Sequence, residues 1–502
     1  MLGWLADSFR FAWALLYWNT RKSWFRLRRG RSPCPCQSLS DSGRAMDTRC
    51  DACLGWHQPA RFRRVCPLLV STPDGLRCSV NTSDVRPFWG LAGIYVGGAL
   101  LAVYLAAVLA VFALLRGVGY PVSIVHIGLP PMWHRVGEAR GWFFLNRSQQ
   151  AFAAGRTNEG MLYLTNAYEF DPRNYRAGLA LAQHTQLPNP PRSDQIFQRL
   201  LNDHPAEREA TAQQWYRALL ARGDFERISE LATSRVLADS PSANVWMRAL
   251  VFASRHGGSE AHLNAIVSSP LPTARRWQPL VQTELLARAQ RLADVRTAVT
   301  RPWAPDAPPY TILYRVEMLV RLGDPTAAMN LLLAQRPRLD DEAFFTLRLH
   351  CLASAGAYDT LRTEFDTVLL RPPLTQPILK IMCAQLIRHP DRILFDKVLA
   401  KVEAAGMPFN DSTAGGWFSL LCTAGVAGDE AQLRALASRI GNLAPAPFAA
   451  LPMIESFFRG RMAERRATAF LPLLPMPIEV TYAMIDRFPG SRLTDTAADA
   501  GR

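Results

Sequence analysis

A turn that recurs at nearly constant spacing is the feature that most constrains this chain. Between about Gly137 and Gly441, short turns interrupt helical runs rich in alanine and leucine. The turns fall at Gly155, Pro188-Asn189, Gly223-Asp224, Gly257-Gly258, Arg291-Leu292, Gly323-Asp324, Gly356-Ala357, His389-Pro390 and Gly428-Asp429. Their spacings are 34, 34, 34, 34, 32, 33, 34 and 38 residues. One helix pair cannot bury its own apolar face, so this period predicts an all-α fold, an α-solenoid of about nine stacked helix pairs over residues 137–441.

The first repeat unit, residues 148–183, carries the most detailed pattern. Gly155 ends its first helical run, Ala167 is the small residue of the second, and Pro172 closes the unit. With the third unit (WYRALLARGDFERISELATSRVLADSP) and the sixth (YRVEMLVRLGDPTAAMNLLLAQRP), it resembles the tetratricopeptide repeat family. The resemblance covers about 300 of 502 residues. It implies antiparallel helix pairs in a right-handed superhelix, with the first helix of each pair lining a concave groove.

That groove is the predicted partner-binding surface, because a concave helical face can hold an extended segment or a helix of another protein. The resemblance places seven polar side chains along it. They are Gln183, Arg217, Arg255, Arg321, His350, Lys380 and Arg388. An ordinary solvated helix face is the alternative explanation, since charged side chains are mostly exposed in any case.

Two function classes compete for such an array. No nucleotide-binding glycine loop, H-E-x-x-H or G-x-S-x-G motif occurs in the sequence, so we predict a scaffold that assembles protein partners, and no enzyme. The alternative is an RNA-binding protein of pentatricopeptide-like type, because helix-pair repeats of this length read RNA one base per repeat. The formal charge is +15, of which residues 88–502 carry only +7, and RNA binding needs a strongly basic track.

A single uncharged run predicts a transmembrane helix over residues 88–116. From Phe88 to Leu115 there are 28 residues without charge, enough to cross about 30 Å of hydrocarbon with some tilt. Gly93 and Gly97 within it form a G-x-x-x-G pattern, which lets two helices approach closely. Either a homodimer through these glycines or a chance occurrence explains the pattern, since glycine is common in membrane spans.

The charge distribution indicates an orientation. Residues 1–87 hold 14 Lys and Arg against 6 Asp, and the positive-inside rule then favours a cytoplasmic N-terminus. The array would lie in the periplasm, with the span in a bacterial inner membrane. Residues 1–31 combine an aromatic run with a basic one, which is typical of a helix lying on an anionic membrane surface. A helix packed on the next module is the alternative.

Residues 32–87 form a cysteine-rich segment that we predict to bind a metal. Soft thiolates in closely spaced pairs suit a structural zinc ion. The preferred ligands are Cys50, Cys53, Cys66 and Cys78, with Cys34 and Cys36 as substitutes or a second site. Residues 65–80 are expected to form a hairpin, and pairing Val70 with Leu76 would put Cys66 and Cys78 on one face. An iron–sulfur cluster, disulfides or free thiols remain open alternatives.

The remaining segments carry weaker signals. Residues 117–136 are expected to be an extended linker, in which His126 and His134 pack as loop residues and do not bind metal. Cys351, Cys383 and Cys422 are expected to pack as small apolar side chains in the array. Residues 442–490 should supply helices that cap the last exposed apolar face, and residues 491–502 should be a disordered tail.

Overall fold

Helices build almost all of the described chain. The computed structural model describes residues 97–304, 306–370, 374–444, 450–461 and 471–489, with Trp13, Leu16 and the backbone of residues 69–72 and 75–78. The chain divides into two compact units, residues 1–171 and residues 172–502. The predicted segments 1–31, 32–87 and 491–502 lie mostly or wholly outside the described residues.

The first unit contains a hairpin, a long apolar helix and the first helix pair. Its elements are β1 (Leu69–Thr72), β2 (Gly75–Cys78), α1 (Gly98–Val118), α2 (Ile124–Gly128), α3 (His134–Ala153) and α4 (Thr157–Phe170). A short 3-10 turn, Pro130–Met132, connects α2 to α3. α3 and α4 pack on each other as the first of the repeated pairs.

The expected hairpin is confirmed, but its register is not the predicted one. β1 and β2 are antiparallel, and Val70 pairs with Arg77, where the prediction paired Val70 with Leu76. The cause is the loop: Thr72 pairs with Gly75, which leaves two connecting residues, whereas the prediction placed Gly75 in a turn with Pro73 and Asp74. Cys78 is now opposite Leu69. Side chains alternate along a strand, so the argument that put Cys66 and Cys78 on one face fails.

α1 matches the predicted apolar span over the residues described. It contains 21 residues with a mean hydropathy of 2.6 and is the one described helix long and apolar enough to cross a membrane. The predicted N-terminal part, residues 88–96 with Gly93, lies outside the described residues. At Gly97, a hypothetical Cβ would meet nothing within 4 Å, so its surface is open. The homodimer through Gly93 and Gly97 stays a prediction.

The predicted extended linker is wrong over residues 124–132, which form α2 and the 3-10 turn. The Ser123 hydroxyl and the His126 side chain cap α2 reciprocally, which satisfies two backbone N–H groups at its start. His134 contacts the carbonyl oxygen of Pro131 through Nδ1 at 3.0 Å. His126 lies within α2 and His134 begins α3, so they are not the loop residues that the prediction made them, although each makes a local contact.

The second unit continues the helix pairs. Its helices are α5 (Tyr175–Thr185), α6 (Pro190–Asp203), α7 (Arg208–Arg222), α8 (Phe225–Leu237), α9 (Ala243–Arg255), α10 (Glu260–Ser268), α11 (Pro272–Arg275), α12 (Gln278–Arg288), α13 (Leu292–Thr300), α14 (Pro309–Arg321), α15 (Pro325–Ala334), α16 (Asp341–Ser354), α17 (Tyr358–Leu370), α18 (Gln376–Arg388), α19 (Arg392–Ala404), α20 (Ala414–Ala427), α21 (Glu430–Leu443), α22 (Ala450–Phe458) and α23 (Ile478–Arg487).

Across the described residues the two units contain nine sequential helix pairs, as predicted. The pairs are α3/α4, α5/α6, α7/α8, α9/α10, α12/α13, α14/α15, α16/α17, α18/α19 and α20/α21. Each of the nine predicted turns lies between the two helices of a pair. In the turn between α7 and α8, Gly223 adopts a left-handed φ of 67°, and the Asp224 side chain accepts a hydrogen bond from the Arg227 N–H. Glycine ends one helix and aspartate begins the next, so short sequence signals set these boundaries.

Buried acids tie consecutive pairs together. Asp194 on α6 accepts hydrogen bonds from the indole of Trp215 (2.7 Å) and from Arg222 (2.6 Å), both on α7. Glu209 on α7 accepts from Trp246 on α9 at 2.8 Å. A buried charge needs several donors, and here the donors come from the next pair, so each acid fixes how two pairs stack.

Candidate partner-binding groove

The first helices of four pairs contact a segment from the chain's own C-terminus. We call residues 471–489 the C-terminal segment, and we call the sides of α7, α9, α18 and α20 that contact it the inner face. The segment begins with a 3-10 turn, Leu471–Leu473, and ends with α23. α22, by contrast, packs against α20 and α21 at the end of the array, which is the predicted capping position. Only one of the two C-terminal helices therefore caps the array, and the other lies on its inner face.

Arg217 on α7 binds the backbone of the C-terminal segment. Its guanidinium donates to the carbonyl oxygens of Pro472 (3.3 Å), Leu474 (3.1 Å) and Met476 (3.0 Å). The three carbonyls belong to alternate residues of an irregular stretch, in which prolines prevent a helix. One planar donor group therefore holds the whole stretch. This contact recognises backbone and so places few demands on the side chains of the bound segment.

Tyr482 is the main apolar anchor of α23. Its ring stacks on that of Phe252 on α9, with centroids 4.1 Å apart and planes 19° from parallel. Its hydroxyl forms a hydrogen bond with the hydroxyl of Tyr216 on α7. Both rings are buried. Burial and the neighbouring Arg248 act on Tyr482 in opposite directions, and burial prevails, raising its pKa to about 12.

Charged pairs surround this anchor. Arg248 on α9 lies 3.4 Å from the Glu479 carboxylate, and His256 lies 2.9 Å from that of Asp486. Arg487 donates to the carbonyl oxygen of Ile387 on α18 at 3.3 Å. α23 is therefore held on one side by the fourth pair and on the other by the eighth, so the inner face closes around it.

The last pair contacts the start of the segment through close packing. At Gly415 on α20, any side chain would collide with the Pro475 carbonyl, since a Cβ there would lie 2.5 Å from its oxygen. On the same helix, Cys422 lies 3.6 Å from the sulfur of Met476. Cys422 is fully buried, as are Cys351 and Cys383, which agrees with their expected packing role.

Beside α23 the first helices carry a cluster of arginines and glutamates. Arg255 on α9 donates twice to Glu284 on α12, at 2.8 and 2.7 Å, and Glu284 also accepts from the Tyr314 hydroxyl at 2.8 Å. Burial raises the pKa of Glu317, and the charges of Arg388, Arg248 and Arg255 outweigh it, so its pKa lies below its ordinary value. The cluster thus places two glutamates, Glu284 and Glu317, among three arginines, Arg248, Arg255 and Arg388.

The groups that shift the pKa of Asp486 include predicted groove residues, which therefore lie near α23. Burial raises its pKa, whereas the hydrogen bond from His256 and the charges of Arg388 and Arg321 lower it below the ordinary value. His350 on α16 contacts the His389 ring at 3.3 Å, and the positive charge of Arg388 lowers its pKa. Five of the seven predicted residues therefore gather around the C-terminal segment or its charge cluster. These five are Arg217, Arg255, Arg321, His350 and Arg388.

The other two predicted residues make contacts elsewhere on the first helices. Gln183 on α5 donates to the Gln214 side chain at 3.3 Å, and Lys380 on α18 lies 3.6 Å from Glu342. Sequence reasoning missed Phe252, Tyr482 and Glu284, which carry the strongest contacts of the groove. The available signal was the sequence of α23 itself: IEVTYAMIDR has apolar or small residues on every side, which is typical of a buried helix.

The predicted metal ligands are not tested by these contacts. Cys34, Cys36, Cys50, Cys53 and Cys66 lie outside the described residues, and Cys78 ends β2. Among the described residues no group of three or more His, Cys, Asp or Glu side chains is arranged to hold a metal ion. The metal site in residues 32–87 therefore stays a prediction.

The helix pairs identify the architecture. The chain is a tetratricopeptide-like helical-repeat protein. No family model matches it, and no curated protein matches it. Among solved structures it is similar to the crystal structure of the P58(IPK) TPR domain, with 13% identity over 69% of this chain and 92% of that chain, at a TM-score of 0.18. The assignment of a tetratricopeptide-like fold therefore rests on the chain's own helix pairs.

Proposed function

We propose that this tetratricopeptide-like protein is a single-pass, membrane-anchored scaffold. It binds protein partners through the inner face of its repeat array and carries out no chemical reaction itself. The observation that supports the proposal is the C-terminal segment, an irregular stretch followed by a helix, held in the groove by contacts of the kind that protein ligands make. Helix-in-groove recognition uses the same elements, with an apolar anchor at the centre and charged pairs around it.

The intramolecular contact specifies the chemistry of a partner. An aromatic side chain at the position of Tyr482 would stack on Phe252. Acidic side chains at the positions of Glu479 and Asp486 would pair with Arg248 and His256. The proposed partner segment therefore combines one aromatic residue with acidic residues one turn before and one turn after it on a helix.

The charges of the groove favour a protein partner over RNA. Within the array itself, Arg255 is paired with Glu284, and Glu317 lies among Arg388, Arg248 and Arg255. Phosphate binding needs arginines that are not already neutralised by carboxylates. A pentatricopeptide-like role is consequently the less supported of the two function classes.

Membrane anchoring by α1 completes the proposal. By length and composition α1 fits a membrane span, and the basic residues 1–87 favour a cytoplasmic N-terminus with the array in the periplasm of a bacterium. Protease added to intact spheroplasts tests this arrangement. Degradation of the array with survival of an N-terminal tag supports it, and survival of the array reverses the orientation.

The binding proposal is tested by site-specific photo-crosslinking in cells. A p-benzoylphenylalanine replaces Arg321, an exposed residue at the end of the first helix α14. The charge of Arg321 lowers the pKa of Asp486 on α23, so this position lies beside the inner face. The matched control replaces Lys397 on α19, an exposed residue on the second helix of its pair that contacts Asp366 at 2.6 Å. We expect protein adducts from position 321 and none from position 397.

The outcomes separate the function classes. Adducts at position 321 that are destroyed by ribonuclease and resist protease would replace the scaffold proposal with the RNA-binding one. Equal adducts from both positions, or none from position 321, would refute recognition through the inner face. Mass spectrometry of the specific adducts then identifies the partner.

A further inference from the structure

The chain between α1 and α3 folds back along α1. After Val118 the helix ends, with the Gly119 N–H donating to the Arg116 carbonyl at 3.0 Å. Five residues later α2 begins, and the carbonyl of its last residue, Gly128, accepts a hydrogen bond from the Tyr104 hydroxyl. A Cβ at Gly128 would lie 3.6 Å from Val108. Gly128 therefore lies beside the middle of α1 and not beyond its end.

Two separate measures give the depth of this fold-back. Val108 precedes Val118 by ten residues, or about 15 Å at the rise of an α-helix. α3 returns to the end of α1, since the Phe143 ring packs on that of Tyr120 with centroids 4.9 Å apart. His134, at the start of α3, is nine residues before Phe143, or about 14 Å. The loop between α2 and α3 thus lies at the level of Val108.

Charged residues follow immediately at that level. Arg135 and Glu138 on the first turns of α3 form an exposed ion pair at 3.0 Å. If all of α1 lay in hydrocarbon about 30 Å thick, this pair would lie near the middle of the bilayer, where charge is costly. The uncharged sequence run offers another placement, because 21 residues, Phe88 to Val108, are already enough to cross it.

The loop itself carries exposed apolar side chains. No Lys, Arg, Asp or Glu occurs between Arg116 and Arg135. Five apolar residues there are each at least 38% exposed: Ile124, Val125, Leu129, Met132 and Trp133. The Trp133 indole N–H donates to the Ile127 carbonyl at 2.9 Å, so its polar atom is satisfied while its ring stays open to the surroundings. Tryptophan in this state is typical of the boundary between lipid headgroups and acyl chains.

We propose that Ile124, Val125, Leu129, Met132 and Trp133 form a lipid-binding patch that enters the headgroup–acyl boundary of the bilayer at the level of Val108. A lipid surface is the expected occupant because α2, which carries two of the patch residues, packs on α1, the helix that takes the chain into the membrane. The inference rests on the proposed anchoring by α1 and adds a second membrane contact. It also makes Leu109–Val118 a stalk outside the hydrocarbon.

The stalk distinguishes this placement from a conventional span. Leu114, 66% exposed, would lie within hydrocarbon if all of α1 spanned the bilayer, and outside it here. Leaving a few apolar side chains at the surface is common in proteins, whereas a charged pair at mid-bilayer is rare. The proposed placement therefore avoids the larger of the two penalties.

Lipid photolabelling of the full chain tests the patch. The chain is reconstituted in vesicles of phosphatidylcholine and phosphatidylglycerol, with a phosphatidylcholine that carries a diazirine near the carbonyl end of one acyl chain. Peptide mass spectrometry then locates the adducts. We expect adducts on residues 124–133 and on α1 as far as Val108, and background levels on Leu114–Val118. Adducts along Leu114–Val118 without adducts on residues 124–133 would overturn the patch and leave α1 as an ordinary span.

Two matched tryptophan variants sharpen the result. Trp133 and Trp142 are 58% and 52% exposed, but Trp142 lies nine residues further along the chain, on α3. That is about 14 Å further from the bilayer in the proposed placement. Trp133→Gln is expected to lower adduct yield on residues 124–133 severalfold, with Trp142→Gln leaving it unchanged. Equal effects of the two variants would refute lipid binding by the patch.

A separate measurement, extraction with alkaline carbonate, shows whether α1 anchors the chain at all. If alkaline carbonate extracts the full chain from the vesicles, α1 does not span them, and the proposed anchoring is wrong. Retention after extraction, combined with an unlabelled loop, refutes the patch alone.

Discussion

The rings of Phe252 and Tyr482 stack at 4.1 Å although the two residues come from distant parts of the second unit. Phe252 belongs to the fourth helix pair, and Tyr482 belongs to the last described helix. Their contact means that the array folds around its own C-terminal segment. The groove is thus both a candidate binding surface and a part of the hydrophobic core, and substitutions there must separate the two roles.

Tyr482→Ala is expected to destabilise the second unit strongly. It removes a buried aromatic ring from between Phe252 and Tyr216, and such truncations cost about 3–5 kcal/mol. Tyr482→Phe keeps the ring and removes only the hydroxyl contact, at about 1 kcal/mol. Chemical denaturation followed by circular dichroism measures both. A loss below that of Tyr482→Phe would show that α23 is only loosely seated.

Arg255 and Glu284 are expected to behave as a structural pair. Arg255→Ala leaves the Glu284 carboxylate buried and short of donors, which costs about 3–5 kcal/mol. Replacing both, Arg255→Met with Glu284→Leu, should restore most of that loss, because no lone charge remains buried. A double-mutant cycle in denaturation experiments gives the coupling. If the double variant is as unstable as the single one, the hydrogen bond from Tyr314 to Glu284, which the double variant also loses, is what the site depends on.

Local signals explain why the helix pairs were predictable from the sequence. The end of α7 and the start of α8 are set by Gly223 and Asp224, whose conformation and side-chain cap depend on neighbours three or four residues away. Repetition then compensates for the weakness of each single signal, because nine turns at one period exclude most other folds.

The groove was less predictable because its contacts are between distant residues. A repeat frame places Arg217 on a first helix, but it does not show that Pro472, Leu474 and Met476 return to occupy its donors. Long-range packing, and not local propensity, decides these contacts. The hairpin register was missed for a local reason, since the strands pair around a two-residue loop that puts Cys78 opposite Leu69.

Gln290 stands in a turn where other repeats have glycine. It occupies the turn between α12 and α13 with a left-handed φ of 58°, where other turns, such as the one at Gly323 with φ 76°, have glycine. Gln290→Gly should therefore stabilise the second unit by about 0.5–1 kcal/mol, since glycine avoids the steric cost of that conformation but loses more entropy on folding.

The reciprocal substitution is the control for Gln290. Gly323→Gln has open space for its side chain. Backbone strain of about 1–2 kcal/mol, partly offset by a smaller entropy loss on folding, should therefore destabilise it by about 0.5–1 kcal/mol. Thermal melting of both variants measures the difference. Two shifts of the same sign would contradict the explanation by backbone conformation.

His350 predicts how stability responds to acid. Burial, followed by the charge of Arg388, lowers its pKa to about 4, while Glu317 opposes that effect and His389 and Arg321 add to it. A histidine with a lowered folded-state pKa stays neutral in the folded protein and takes up a proton on unfolding. Its contribution to stability is then complete above its ordinary pKa of 6.5 and is lost as the pH falls toward 4. Acidification should therefore destabilise the array before any carboxylate is protonated.

His350→Gln is expected to remove most of this acid sensitivity. Between pH 7 and pH 5 the wild-type chain should lose about 2 kcal/mol more stability than the variant, because His350 takes up a proton on unfolding in that window and glutamine does not. Denaturant midpoints at the two pH values measure the loss. Restricting the window to pH 5 and above keeps Glu317 ionised, since its pKa lies below its ordinary value. Equal losses in the two proteins would mean that His350 is protonated or exposed in the folded array, and the packing of α16 against α18 would then differ from the contact between His350 and His389.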